Sequence, residues 1–217
     1  MREICGKQIA TKLSDMVDPR SCAILVIDVQ NDYCYDEEGG EKYPRMIEAL
    51  RQLIQSARES HVFVIYVQDT LLPSRKSDSP GWMRHYLINK DDAYIPKETA
   101  TNGSAGQEFV KKISPTRHDL IIQKFRSSAF YGTSVDLILR SNGIRSVIIT
   151  GAVTYGCVES TCRDASNEYF VVVPQDCVAG SDQELHEACL KIMRARYDVC
   201  SSKDIISEWN RKLVETV

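Results

Sequence analysis

Short apolar runs alternate with longer amphipathic stretches along this chain. The runs are Ala23–Ile27, Val62–Val67, Leu120–Gln123, Val147–Thr150, Phe170–Val173 and, more weakly, Asp198–Ser201. Because their apolar positions are consecutive, they are typical of parallel strands buried on both faces. The intervening stretches predict helices over Pro44–Ser60, Thr133–Asn142, Val158–Glu168, Gln183–Tyr197 and Lys203–Leu213. This alternation predicts a doubly wound, open parallel sheet.

One segment, Gln68–Gln107, does not fit the alternation. It contains several prolines and glycines among many polar residues. Loops of this length inside a compact domain are usually functional. We therefore expect this segment to cover a substrate or to contact another subunit.

Composition narrows the classes of function. The chain has 217 residues, 43% of them hydrophobic and 26% charged, which fits one α/β domain over residues 1–217. The net charge of −3 gives no basic face for nucleic acid. No apolar run is long enough to span a membrane, and the first ten residues lack the apolar core of a signal peptide. We expect a cytoplasmic protein without nucleic-acid or membrane partners.

The cysteines are dispersed, and most are expected to be structural. There are eight, and no two are spaced as C-x-x-C, which argues against a zinc ribbon or a thioredoxin-type site. In a cytoplasmic chain most should be reduced thiols that pack as small apolar groups. A cysteine with a chemical role must therefore be identified from its surroundings.

Three predicted strands lead into reactive side chains. The first runs into Asp28, the third ends at Lys124, and the fourth leads through a loop with two glycines to Cys157 and a helix. Ligands of open α/β sheets bind at the carboxyl ends of the strands, so these groups should meet at one edge. A helix N-terminus and a nearby lysine both favour a thiolate, and an aspartate can accept its proton.

Each residue alone has an ordinary structural interpretation. Asp28 is also suited to capping a helix, Lys124 to lying in solvent at a strand end, and Cys157 to packing in the core. Their joint position at three strand ends favours a catalytic site.

The segments around these residues resemble the isochorismatase-like cysteine hydrolases. That family includes nicotinamidases, N-carbamoylsarcosine amidases, biuret hydrolases and ureidoacrylate hydrolases. The matching stretches are AILVIDVQNDY at 23–33, KFRSSAFYGT at 124–133 and GAVTYGCV at 151–158. The resemblance implies a three-layer α/β/α doubly wound fold with a six-stranded, mainly parallel sheet.

The resemblance also implies how the site works. It implies a catalytic triad of Asp28, Lys124 and Cys157 and a cis peptide bond between Ala152 and Val153. The N–H groups of Val153 and Cys157 would then stabilise an oxyanion while a small amide, carbamoyl or ureido substrate is hydrolysed through a thioester. Phe130 and Gln30 are expected beside the pocket, although Gln30 is equally suited to a structural role.

Two departures from the family pattern limit the substrate. The Asp-x-His metal motif of nicotinamidases is absent, because no histidine follows Asp69 until His85. We therefore predict no metal and no cofactor. In the long segment, Arg75 is a candidate for binding a substrate carboxylate, and Trp82 for closing over the site, although each also suits a solvated loop.

Two other functions remain open at this stage. One is an isochorismatase-type vinyl-ether hydrolase, which would not depend on a thiol. The other is a non-catalytic binding or scaffold protein of the same fold. The resemblance also implies a homo-oligomer, a dimer or a tetramer.

Overall fold

A computed structural model describes residues 1–88, 90–91, 94–95 and 97–215. Asn89, Asp92, Ala93 and Pro96, which belong to the predicted 68–107 segment, and Thr216 and Val217 lie outside the described residues. The strands are β1 (Arg2–Ile4), β2 (Lys7–Ile9), β3 (Cys22–Ile27), β4 (Phe63–Asp69), β5 (Leu120–Lys124), β6 (Ser146–Ala152), β7 (Phe170–Pro174), β8 (Val178–Ala179) and β9 (Asp198–Cys200). The α-helices are α1 (Leu13–Met16), α2 (Asn31–Cys34), α3 (Pro44–Glu59), α4 (Pro80–Arg84), α5 (Val135–Ser141), α6 (Glu159–Ala165), α7 (Gln183–Arg194) and α8 (Ser202–Glu215).

The central sheet has the order β5-β4-β3-β6-β7-β9, and every pairing in it is parallel. The six predicted strands are therefore confirmed. A seventh, the two-residue β8, pairs with the end of β6 beyond the part that β7 covers. It was not predicted, because two residues carry no periodicity. The antiparallel hairpin β1–β2, also not predicted, is separate from this sheet.

Helices cover both faces of the sheet, which confirms the three-layer architecture. Alternate residues of β3 point to opposite sides, so Ile24 and Val26 pack in one core, and Leu25 and Ile27 in the other. The first core is closed by α3 and α8, and the second by α5, α6 and α7. Burial on both faces explains why the strands are apolar at consecutive positions.

The helix bounds follow local sequence signals. Pro44 begins α3, where its missing N–H is not needed, and six apolar residues of α3 form its buried stripe. Helix α5 starts later than predicted, at Val135, and α6 ends earlier, at Ala165. The short helices α1, α2 and α4 were not predicted, since one turn is too short for a periodic pattern. No helix of the described ranges is long and apolar enough to cross a membrane.

The strand order reverses between β3 and β6. From β3 the chain adds β4 and β5 on one side, then returns to add β6, β7 and β9 on the other. Such a reversal leaves a crevice at the carboxyl ends of the two strands, where α/β proteins bind ligands. Asp28 and the turn that follows β6 flank this crevice.

Candidate active site

The three predicted residues lie together at the carboxyl edge of the sheet. The Nζ atom of Lys124 is 2.8 Å from Oδ2 of Asp28 and 3.4 Å from Sγ of Cys157. Lys124 and Asp28 are almost completely buried, at 0% and 1% exposure. An ammonium so deeply buried needs anionic or polar partners, and the site supplies them.

The backbone fixes the Asp28 side of the crevice. Asp28 has a left-handed φ of 51°, which is unusual for a residue other than glycine, and its N–H donates to the Val67 carbonyl at 3.0 Å. Gly151, the register partner of Ile27 on β6, has a φ of 114°. An added Cβ there would lie 2.0 Å from the Ile27 carbonyl oxygen, so only glycine fits this close approach of two strands.

Cys157 lies in a tight turn directly after β6. The peptide bond between Ala152 and Val153 is cis. A π-helical turn, Thr154–Val158, then carries Cys157, with a non-helical Gly156 at φ −121° and ψ −107°. Helix α6 follows directly, with Val158 as its N-cap, so Cys157 lies just ahead of a helix N-terminus and the predicted helix start differs by one residue.

Neighbouring elements hold this turn in place. The Thr154 hydroxyl lies 2.8 Å from Nδ1 of His186 on α7, and the Cys189 thiol donates to the Thr154 carbonyl at 3.5 Å. The Thr161 hydroxyl donates to the Cys157 carbonyl at 2.7 Å. These contacts could not be predicted, because side chains on a distant helix leave no local pattern in the sequence.

Burial reverses the predicted ionisation of the thiol. Desolvation and the nearby Asp28 carboxylate raise the pKa of Cys157 well above its ordinary value, and Lys124 offsets this only partly. Desolvation also raises the pKa of Asp28 to about 7. Burial by itself would lower the pKa of Lys124, but Asp28, Cys157 and Asp69 together raise it, so the ammonium stays charged. At neutral pH the site therefore holds a thiol beside an ionisable carboxyl group and a fixed cation.

A fourth residue, Asp69, completes the cluster. Its Oδ1 is 3.2 Å from Lys124 Nζ, and its Oδ2 accepts a 2.5 Å hydrogen bond from the Tyr33 hydroxyl. In the sequence, Asp69 was noted only as part of an absent metal motif. Asp28 and Lys124 were found because each directly follows an apolar run. Asp69 does not, since the apolar run of β4 ends two residues earlier, at Val67.

Gln30 is a structural residue and is not available to a substrate. Its side chain accepts from the Asp69 N–H at 2.7 Å and donates to the carbonyls of Asp69 and Gln107, both at 3.0 Å. Both amide hydrogens are thus used, and the residue is 0% exposed. The structure therefore favours the structural alternative over the substrate-binding role expected for Gln30.

Phe130, expected beside the pocket, and Ala152, expected in the cis peptide bond, lie near the turn that carries Cys157. Phe130 is half-buried and packs against Tyr169 with 5.9 Å between ring centroids. The adjacent Ala129 N–H donates to the Thr161 hydroxyl, which in turn donates to Cys157. Ala152 is buried at 1% exposure, so it reaches the site through its peptide group.

Arg126 ties the long segment to the site. Its guanidinium donates to the Ser77 carbonyl at 2.6 Å and lies 5.2 Å from the centre of the Trp82 ring. Since Arg126 is two residues from Lys124, Trp82 is held close to the cluster. The described part of the segment thus folds over this edge of the sheet, as expected for a covering element.

A narrow cleft is lined mainly by residues of the long segment and reaches the cluster at Asp69. Among the residues that line it are Asp69, Arg75, Trp82 and Tyr86. The structure places both expected binding residues there, but Arg75 is already paired with Asp78 at 2.7 Å. A substrate carboxylate would have to share that arginine with Asp78.

The described residues contain no group of three or more His, Cys, Asp or Glu side chains arranged to hold a metal ion. Both carboxylate oxygens of Asp69 are occupied within the chain, as described above. The ring nitrogen Nδ1 of His85 contacts the Trp82 carbonyl.

Comparisons with known proteins agree with this geometry. The family model for the isochorismatase domain matches residues 22–204. Ureidoacrylate amidohydrolase RutB of Caulobacter vibrioides is 31% identical over 185 residues, covering 76% of this chain and 81% of that protein. The residues matched by the family model include all strands of the central sheet.

Solved structures show the same fold. A cysteine hydrolase from Pseudomonas syringae superposes with a TM-score of 0.78 at 21% identity, over 90% of this chain and 95% of the other. N-carbamoylsarcosine amidase from Thermoplasma acidophilum superposes with a TM-score of 0.68 at 27% identity, over 84% of this chain and 96% of the other. These proteins share the arrangement of sheet and helices described above.

Proposed function

The chain belongs to the isochorismatase family, and on that premise we propose that it is a cysteine-dependent amidohydrolase. The substrate is a small molecule with a non-peptide amide, carbamoyl or ureido C–N bond. The single observation that supports this most strongly is the contact of one buried ammonium with both the Asp28 carboxylate and the Cys157 sulfur. The similar ureidoacrylate amidohydrolase and N-carbamoylsarcosine amidase are named for such reactions.

The first half of the reaction forms a thioester. Asp28 takes the proton of the Cys157 thiol as Sγ attacks the substrate carbonyl carbon. A basic carboxylate is suited to this step, because the pKa of Asp28 is raised to about 7 by burial. The C–N bond then breaks, and the Asp28 carboxyl group returns the proton to the leaving nitrogen. Ammonia or an amine departs, and the acyl group remains on sulfur.

The second half regenerates the thiol. Asp28 accepts a proton from a water molecule, whose oxygen attacks the thioester carbonyl carbon. The C–S bond breaks, and the thiolate recovers its proton from Asp28. Lys124 stays protonated throughout, so it stabilises the developing negative charge on sulfur and oxygen without exchanging a proton.

Backbone N–H groups are proposed to stabilise the oxyanion of both tetrahedral intermediates. The N–H of Val153, next to the cis peptide bond, and that of Cys157 belong to the turn that carries the nucleophile. Removal of one such donor in an enzyme costs about 10²–10³ in rate. The contacts of Thr154 with α7 are therefore expected to matter for activity, since they hold this turn.

We also propose a homo-oligomer formed through the long segment. Several large apolar side chains in its described part are exposed, which favours burial against a second copy. They are Met83, Leu87, Ile88, Tyr94 and Ile95, the last at 86% exposure. Sedimentation velocity should show a dimer or tetramer at micromolar concentration, and a monomer there would contradict the proposal.

The decisive test is an ammonia-release screen with matched cysteine variants. The compounds are primary amides, carbamoyl amino acids, biuret and ureido acids. Cys157→Ala should abolish release with every active compound. Cys200→Ala, which removes the other half-buried cysteine, should retain it. Retention of wild-type ammonia release by Cys157→Ala would exclude the cysteine mechanism. Absence of ammonia release from every compound, even with the wild-type protein, would favour the vinyl-ether hydrolase, whose reaction releases none.

A further inference from the structure

The Lys124 ammonium has three anionic or sulfur neighbours in the described site. Asp28, Asp69 and Cys157 lie 2.8, 3.2 and 3.4 Å from Nζ. An ammonium has three N–H donors in a tetrahedral arrangement, so three neighbours can use them all. A nucleophile–acid–lysine triad needs only two of these neighbours. The third, Asp69, has no role in the proposed reaction.

Both the side chain and the backbone of Asp69 are fixed by contacts within the chain. Its two carboxylate oxygens are taken by Lys124 and by the Tyr33 hydroxyl. Its main-chain N–H and carbonyl are both bonded to the Gln30 side chain. Burial and the neighbouring Asp69 raise the pKa of Tyr33 far above the neutral range, so Tyr33 remains a phenol that donates.

The sheet places this carboxylate beside the lysine. Asp69 ends β4, and its register partner on the adjacent parallel strand is Lys124 at the end of β5. Partners in register on neighbouring strands have their backbones about 5 Å apart, and here the lysine spans to the carboxylate directly. Asp28 follows the next strand, β3, so the ammonium lies between two carboxylates contributed by adjacent strands.

We propose that Asp69, fixed by Tyr33 and Gln30, is a positioning residue that holds the Lys124 ammonium and sets the pH at which Asp28 and Cys157 exchange their proton. The inference rests on the proposed function. Without Asp69, the lysine would lose one of its three neighbours and could turn fully toward Asp28 and the thiol. The cluster would also lose a negative charge that disfavours ionisation of its neighbours.

The charges that face Asp28 come from several elements. Lys124 on β5, Asp69 on β4 and Cys157 in the turn after β6 are its partners in the cluster. Tyr33 and Cys34 on α2 also face it, and both have raised pKa values, so both are neutral at pH 7. Asp69 is thus the negative charge whose removal should lower the pKa of both Asp28 and Cys157.

The test uses the pH dependence of thiol alkylation, which needs no substrate. Iodoacetamide modification of the peptide that contains Cys157 is followed by mass spectrometry from about pH 7 to about pH 12 in roughly half-unit steps, because the pKa of Cys157 lies above the ordinary cysteine value. Asp69→Asn should shift the midpoint downward by about one pH unit or more, because a like charge has been removed. Asp69→Glu should restore the wild-type midpoint. Asp164→Asn, which removes an exposed carboxylate on α6, should leave it unchanged.

The outcomes separate this inference from the proposed function. If Asp69→Asn, folded by circular dichroism, has the wild-type midpoint, the role assigned to Asp69 is excluded, whatever Cys157→Ala does. If Cys157→Ala retains turnover, the proposed function fails instead.

If the Asp69→Asn variant does not fold, the Tyr33→Phe variant tests the role of Asp69 instead. It removes the hydrogen bond that fixes Asp69 but keeps every charge. Turnover should then fall about tenfold or more with little change in KM, as for a misplaced catalytic group. Wild-type turnover in Tyr33→Phe would overturn the inference.

Discussion

Replacing Gly151 with alanine adds a single methyl group and should lower the free energy of unfolding strongly. The new Cβ would lie 2.0 Å from the carbonyl oxygen of Ile27 and 2.8 Å from its carbonyl carbon. Both atoms belong to the backbone of the central strand β3, so neither can move by a rotamer change. The backbone angle also opposes the substitution, since Gly151 has a φ of 114°.

The expected cost has two parts. A side chain in a sparsely populated backbone region costs about 1–3 kcal/mol, and an added methyl group in a packed interior costs about 1–3 kcal/mol. Gly143→Ala separates the two. Gly143 has a φ of 65°, but its Cβ would have no neighbour within 4 Å, so only the conformational cost of about 1–2 kcal/mol applies.

Urea unfolding followed by circular dichroism measures the difference. We expect Gly151→Ala to lose clearly more unfolding free energy than Gly143→Ala, at an unchanged urea dependence. Because domains of this kind have only about 5–15 kcal/mol of stability, Gly151→Ala should unfold at markedly lower urea. Equal midpoints for the two variants would refute the argument that close approach of β3 and β6 requires glycine.

Two further outcomes follow from the site. The pKa of Asp28 rises from 3.8 to about 7 on folding, so folded protein binds more protons than unfolded protein between these values. Its contribution to stability is therefore present below pH 3.8 and is lost as the pH rises toward 7. Urea titrations across this range should show a smaller decline for Asp28→Asn than for wild type, and identical declines would contradict the assignment. Arg126→Ala removes the contacts with Ser77 and Trp82, so limited thermolysin digestion should cut within the 68–107 segment faster than in wild type. An unchanged cleavage rate would show that other contacts hold the segment.

The sequence predicted the sheet and the triad for the same physical reason. Strands buried on both faces are apolar throughout, so a reactive polar residue at their end, such as Asp28 or Lys124, is conspicuous. Asp69 was overlooked because Gln68 and Asp69 extend β4 beyond its apolar run. The contacts of Arg126 with the long segment follow no period and could not be predicted.

The ionisation of the Cys157 thiol also could not be predicted from the sequence. A cysteine after a glycine loop and beside a lysine predicts a thiolate, whereas its surroundings in the structure raise the pKa of Cys157. The difference comes from desolvation and from two carboxylates, and both depend on three-dimensional burial. The role of Gln30 was likewise decided by its backbone partners, Asp69 and Gln107, which lie far away in sequence.

Lys124 is carried by β5, the border strand of the central sheet, which pairs among the described residues with β4 alone. Sheet borders fray at lower free energy than interior strands. Transient detachment of β5 would withdraw the ammonium, while Asp28 and Cys157 would stay in place beyond the ends of the interior strands β3 and β6. Dilute denaturant should therefore inactivate the enzyme reversibly at concentrations at which its helices are still folded. Turnover would then report on β5, and the circular dichroism signal on the rest of the domain.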